Sequence, residues 1–300
     1  MENFILIGLL FMAGMGLRRL PAFPDNSAMS FNMYVIYIAL PAMVLLHVPK
    51  LPLSTNLLTP MITPWIVLPV SAIVVVFLSR WLGWSRDVVG ALLLLTTMGN
   101  TSFLGVPMVQ AFFPSEAVAY ALLYDQLGTF LIVATYGSVV VTLYGHDGNR
   151  PTGTAILKKV LQFPPFIAMV LAFSLRGVVL PEWGISILQR LADTLVPVVI
   201  FAVGFQFRFQ VDAHHRTALA AGLLIKMVAA PLAVLAVTRM LGLSGLAVDV
   251  TIFESGMPAM ITAGAMAMAA GLAPELAASL VGMGIPLSFL TLWLLHGWIG

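Results

Sequence analysis

The chain has 300 residues, of which 60% are hydrophobic and 9% charged, with a formal net charge of +2 and a mean hydropathy of +1.03. That much apolar surface cannot be kept dissolved by a soluble domain, so the composition specifies an integral membrane protein. Charge this thin, with no basic cluster or aromatic-basic interleaving, excludes nucleic acid as a partner, and zero cysteines exclude disulfides and thiol metal sites.

A spanning helix needs about 20 apolar residues, so a chain of this length with short loops has room for roughly ten. Apolar runs bounded by charge, proline and glycine predict segments at 3–19, 27–47, 61–82, 87–112, 116–143, 158–176, 184–207, 216–240, 245–270 and 275–298. The first is apolar from Phe4 to Leu17, with Glu2 before it and Arg18 and Arg19 after it. That order reverses the basic flank of a secretory signal, so a membrane helix is expected. The longest polar connection, Gly145 to Thr154, falls near the midpoint. It divides the chain into a first set of five segments (1–144), a short cytoplasmic linker (145–157) and a second set of five (158–300).

The two sets resemble each other. Arg80-Trp81-Leu82-Gly83-Trp84-Ser85 and Arg239-Met240-Leu241-Gly242-Leu243-Ser244 match at Arg, Leu, Gly and Ser with an offset of 159 (239 minus 80). Pro114 with Pro274, Arg18 with Arg176, and Pro41 with Pro197 follow at nearby offsets. An odd number of helices per copy turns the second upside down, predicting an inverted repeat with its ligand site at the bilayer midplane. Arg18, Arg19, Arg80, Arg86, Arg150, Lys158, Lys159, Arg208 and Arg216 then lie on one side, against Lys50, Arg176, Arg190 and Arg239 on the other. The richer side is expected to be cytoplasmic, with both termini outside.

Two stretches interrupt the apolar pattern: Gly99 to Pro107 (GNTSFLGVP) and Glu254 to Pro258 (ESGMP). Irregular backbone survives at membrane depth only where protein buries it or it lines a watery cavity. The offset of 159 carries Met98-Gly99-Asn100 onto Met257-Pro258-Ala259, so the breaks are expected to be equivalents. Proline suits the first turn of a new half-helix. Helices restarting at Pro107 and Pro258 would turn their positive ends toward a pocket holding a carboxylate. Asn100, Thr101, Ser102, Pro107, Ser255 and Pro258 are the candidate substrate contacts. Pro41, Pro197, Pro231 and Pro286 are read as simple kinks.

Asp125, Lys226 and Glu254 lie near the centres of predicted spans. Each costs roughly 2.5–3.5 kcal/mol if it faces lipid, so all three are expected to point inward. Two readings stay open: a structural ion pair locking helices together, or a charge network that couples transport to a proton or cation. Which carboxylate faces Lys226 is also open. Gln126 is adjacent to Asp125 and is expected to bond a neighbouring helix instead. His47 reads as interfacial, while His214 and His215 near Asp212 read as a solvated loop rather than a metal site. Gly242-Leu243-Ser244-Gly245 resembles the nucleophile string of rhomboid-type proteases, but it falls in a predicted turn with no base placed to serve it. Neither enzymatic activity nor a cofactor is expected.

Tyr37 to Ala42, Gly99 to Pro107, Tyr124 to Gly128, Lys226 with Pro231, Glu254 to Pro258 and Gly282 to Pro286 together resemble a bacterial member of the auxin efflux carrier family. The asparagine-initiated run ending in Gly105-Val106-Pro107 is the most specific of these. The resemblance implies an all-α fold of ten helices related to bile-acid symporters and sodium/proton antiporters, with broken helices 4 and 9 crossing at midplane. It implies a scaffold of helices 1, 2, 6 and 7, through which a homodimer forms, and a transport domain of helices 3–5 and 8–10. It places Asn100 at the crossover with Pro107 and Pro258 beside it. Substrates would be small organic anions, malonate-like dicarboxylates or auxin-like acids, carried across a bacterial inner membrane. The short linker departs from the long central loop of the plant carriers, so regulation through it is not expected.

Overall fold

The computed structural model describes residues 2–24, 26–52, 54–146, 152–208 and 214–299. Arg150 and Asp212, invoked above for topology and for the histidine loop, lie outside them, as does part of the expected linker. Among the described residues, apart from a short 3-10 turn at Thr55–Leu57, thirteen helices follow one another: α1 (Glu2–Leu17), α2 (Ser27–Lys50), α3 (Leu58–Leu82), α4 (Arg86–Thr97), α5 (Thr101–Phe112), α6 (Ala117–Tyr144) and α7 (Gly153–Leu161), then α8 (Pro164–Ser174), α9 (Glu182–Gln206), α10 (Arg216–Met240), α11 (Leu246–Ser255), α12 (Ile261–Ala269) and α13 (Pro274–Ile299). Among the described residues there is no strand, only one isolated bridge between Gly99 and Ala259. Six helices (α2, α3, α6, α9, α10 and α13) are long and apolar enough to cross a membrane, whereas α1 and α5 contribute shorter apolar stretches.

The segment expected at 158–176 is not one helix. It is two, α7 and α8, bent by 64°. Pro164 and Pro165 open α8, and Phe163 before them is extended at φ −76 and ψ 116, because a residue preceding proline is driven out of the helical region. Helix α7 begins at Gly153, inside the stretch expected to be linker.

Three other prolines share one device. Pro41, Pro107 and Pro231 each stand two residues after a wide π-helical stretch: Val35–Ala39, Thr101–Gly105 and Ile225–Ala229. Proline has no amide hydrogen and its ring clashes with the carbonyl four residues back; a wider turn just upstream accommodates both defects without breaking the helix. These are bulges, more than the kinks the sequence suggested for Pro41 and Pro231.

The chain packs into two compact units. The first holds residues 1–54, 102–122 and 158–207. In it α1 and α9 lie very close, because a side chain on Gly14 would collide with the backbone of Phe201, and one on Gly204 with that of Phe11. Phe31 meets Phe201 edge-on at 5.3 Å between ring centres, and Phe11 meets Phe207 at the same separation. Arg18, at the end of α1, donates to the carbonyl of Phe207.

The second unit holds residues 55–101, 123–157 and 208–300. Its core is a continuous apolar cluster running through Leu92, Leu94, Leu95, Met98, Ile132, Ala263, Ala267, Leu276 and Leu280. Helices α3 and α10 end in the same way. Gly83 and Gly242 take left-handed conformations (φ 63 and 65), which a side chain would strain, and stop their helices. The following amides reach back, Trp84 to the Ser79 carbonyl at 3.2 Å and Leu243 to that of Thr238 at 2.9 Å. Donor and acceptor alike are 159 residues apart (243 minus 84, 238 minus 79), the offset read from the sequence.

Candidate functional site: two broken helices tied at their breaks

Both suspected interruptions are real breaks. Helix α4 stops at Thr97 and α5 starts at Thr101; α11 stops at Ser255 and α12 starts at Ile261. The exposed backbone of each break is satisfied by the other: Asn100 N donates to the Pro258 carbonyl at 2.8 Å, and Met260 N to the Met98 carbonyl at 3.0 Å. This antiparallel exchange closes around the Gly99–Ala259 bridge. A shift of 160 exchanges the two bonds (100 to 260, 98 to 258), so the register at the breaks is one residue beyond the 159 expected.

The helices do not restart at the prolines. Pro258 lies inside its break, three residues before α12, and Pro107 sits in the second turn of α5, behind the bulge at Thr101–Gly105. The new N-termini are those of Thr101 and Ile261, because the bulge absorbs the proline defect downstream of the restart.

Five of the buried polar residues stand on π-helical turns: Thr101 in Thr101–Gly105, Asp125, Gln126 and Thr129 in Tyr124–Thr129, and Lys226 in Ile225–Ala229. Such turns re-aim side chains and recur at functional sites. Asp125 is 1% exposed and accepts from Thr101 Oγ1 and from Gln126 Nε2, each at 2.5 Å. The expectation that Gln126 serves another helix is therefore corrected. The wide turn swings neighbouring side chains together, and Gln126 caps Asp125.

Lys226 is 3% exposed, and its Nζ donates to the Ser255 carbonyl at 2.7 Å, the orphan acceptor at the end of α11. A Cβ at Gly99 would lie 3.2 Å from both Cε and Nζ of Lys226, a tight contact, so glycine here leaves the ammonium room beside the break. Glu254 is fully buried within electrostatic range of Asp125 and Lys226, and neither of its carboxyl oxygens has a hydrogen-bond partner among the described residues. Asn100, 2% exposed, likewise holds an amide Nδ2 with no acceptor. The Ser255 hydroxyl is occupied by the Ile252 carbonyl at 2.6 Å, so this residue contributes its backbone oxygen instead of its side chain. Asn100, Thr101, Asp125, Lys226, Glu254, Ser255 and Pro258 all fall in the second unit, whereas Ser102 and Pro107 fall in the first.

The first unit contains a cavity of about 820 Å³ that includes Pro107 in its lining. Gln110, one turn beyond Pro107 on the same helix face, lines it too, with His47, Lys50, Glu116 and Asp193. Lys50, Glu116 and Asp193 stand at segment ends, where charge is ordinary, so the sequence does not single them out as lining residues. The i, i+3 spacing of Pro107 and Gln110 was the available signal.

A helical chain with several membrane-crossing segments and polar groups held at a tied pair of helix breaks is a multi-pass membrane transporter in class. Residues 1–296 match the membrane transport protein family, and the chain belongs to it, the auxin efflux carrier family of the resemblance above. An uncharacterised transporter of Methanothermobacter thermautotrophicus is 26% identical over 307 residues, covering 97% of this chain and 95% of the relative. An uncharacterised transporter of Methanocaldococcus jannaschii is 24% identical over 315 residues, covering 100% and 98%.

Proposed function

We propose that the protein is a secondary transporter of small organic anions, carboxylates of the malonate or auxin type, working by alternating access around the tied breaks. The observation that carries this reading is the pairing of two buried donors there. Asn100 Nδ2 lacks an acceptor, and the Lys226 ammonium is packed against Gly99. A buried amide donor with no acceptor is costly to leave unmade, and a carboxylate supplies what it lacks. The N-termini of α5 and α12 add partial positive charge at the same breaks. In this reading Asn100, Thr101, Ser255 and Pro258 contact the substrate at the breaks, Ser255 through its carbonyl, and Ser102 and Pro107 are further candidate contacts along α5.

Glu254, Asp125 and Lys226 form the coupling network. A carboxyl buried without donors is a natural seat for a proton or a small cation. The segments at 3–19, 27–47, 158–176 and 184–207 act as scaffold and dimer face, and the remainder as the transport domain. The four scaffold segments fall together in one unit, which supports grouping them, but that unit also takes in residues 102–122, which this reading assigns to the transport domain. The matched stops at Gly83 and Gly242, together with the exchanged bonds at the breaks, support an inverted repeat of five and five. By the count of basic residues the termini face outward from an inner membrane.

The test is uptake into proteoliposomes of a panel of mono- and dicarboxylates, with proton and sodium gradients imposed separately. Uptake of at least one carboxylate against its gradient is expected. Collapse when potassium replaces sodium would select the sodium-coupled, bile-acid-type alternative. Binding without net flux would overturn transport altogether.

A further inference from the structure

Helix α7 contributes no residue to the site at the tied breaks. It carries Leu157 (58% exposed) and Leu161 (56% exposed), four residues apart and therefore on one face. Lys158 and Lys159 are also exposed and stand about 100° and 200° around the helix from Leu157. Val160, 8% exposed, is the one buried side chain of this helix. The 64° bend at Gln162–Phe163 then turns the chain into the apolar helix α8. If α7 and α8 crossed the hydrocarbon together as one broken span, the two lysines would cost about 2.5–3.5 kcal/mol each at depth. Lying along the surface, the same helix puts leucines into the acyl boundary and ammonium groups among headgroups.

We propose that α7 is an interfacial helix that sinks Leu157 and Leu161 into the membrane surface and holds anionic phospholipid headgroups with Lys158 and Lys159. Two observations select this occupant over a protein partner. The exposed leucines stand just ahead of the bend into the apolar helix α8, and the charge among the side chains of α7 is uniformly positive. The consequence is that the joint between the two halves is fastened to the bilayer. The inference does not depend on what the protein carries.

The chain has no cysteine, so single cysteines can be placed at 157, 158 and 161 and given nitroxide labels in the full-length protein, reconstituted in phosphatidylglycerol nanodiscs. Labels at 157 and 161 should be accessible to oxygen and shielded from an aqueous nickel complex, with the reverse at 158. Equal nickel access at all three positions would overturn the interfacial placement. Native mass spectrometry then tests the headgroups. Lys158→Gln and Lys159→Gln should each weaken phosphatidylglycerol retention about fivefold, with phosphatidylcholine unaffected. Lys→Arg at both positions should restore it. Unchanged retention in the double glutamine variant would overturn the lipid assignment.

Discussion

At the tied breaks the polar side chains Asn100, Thr101, Asp125, Lys226 and Glu254 are all buried, and most of their partners are backbone carbonyls or side chains fixed on bulged turns. In the cavity of the first unit, Lys50 and Glu116 are long, exposed side chains near helix ends, where water solvates them at little cost. Both regions are polar, but only the first holds its polarity against a strong desolvation penalty. Polarity that is expensive to bury and geometrically fixed discriminates between ligands; polarity that is solvated and mobile attracts them. The breaks should therefore set whether transport occurs, and the cavity how readily substrate is collected.

The widest separation between the regions is expected from Asn100→Ala, which should abolish carboxylate uptake in proteoliposomes while the purified protein stays monodisperse. Unaltered uptake kinetics would remove Asn100 from the mechanism. Lys226→Met should lower uptake about tenfold or more and change its pH dependence, since a buried carboxyl loses its nearby cation. Transport with the wild-type pH profile and affinity would dissolve the coupling network. Gly99→Ala inserts a methyl group 3.2 Å from the ammonium; it should destabilise by about 1–3 kcal/mol and slow uptake, both read on one preparation. At the small end, Gln110→Ala and Lys50→Gln should raise KM by only a few-fold with kcat unchanged, as lost solvated contacts do. A cavity variant as damaging as Asn100→Ala would break the comparison.

Much of this was legible in the residues. Glycine, asparagine and proline inside lipid-length runs marked both breaks, because backbone defects are visible wherever the solvent cannot repair them. The Gly83 and Gly242 stops were legible for the same kind of reason: only glycine takes that conformation without strain. The π-helical turns were not. They leave no compositional mark of their own, and the pairing of Gln126 with Asp125 depends on one, so helical-wheel spacing pointed elsewhere. The bend ahead of α8 was written in Pro164 and Pro165, but continuous hydropathy across them concealed it. The exact register at the breaks is a backbone property, and a one-residue difference lies below what side-chain matching resolves.

The exchange of hydrogen bonds between Asn100 and Pro258, and between Met260 and Met98, bears on how the protein is made. When the first break leaves the ribosome, its partner is still about 160 residues from synthesis. Until then the Asn100 amide and the Met98 carbonyl must be satisfied by water or by the insertion machinery, since lipid offers neither a donor nor an acceptor. The early segments are thus held in an unfinished state for about half of translation. A ribosome stalled before Pro258 should carry a chain whose first break is still open to protease.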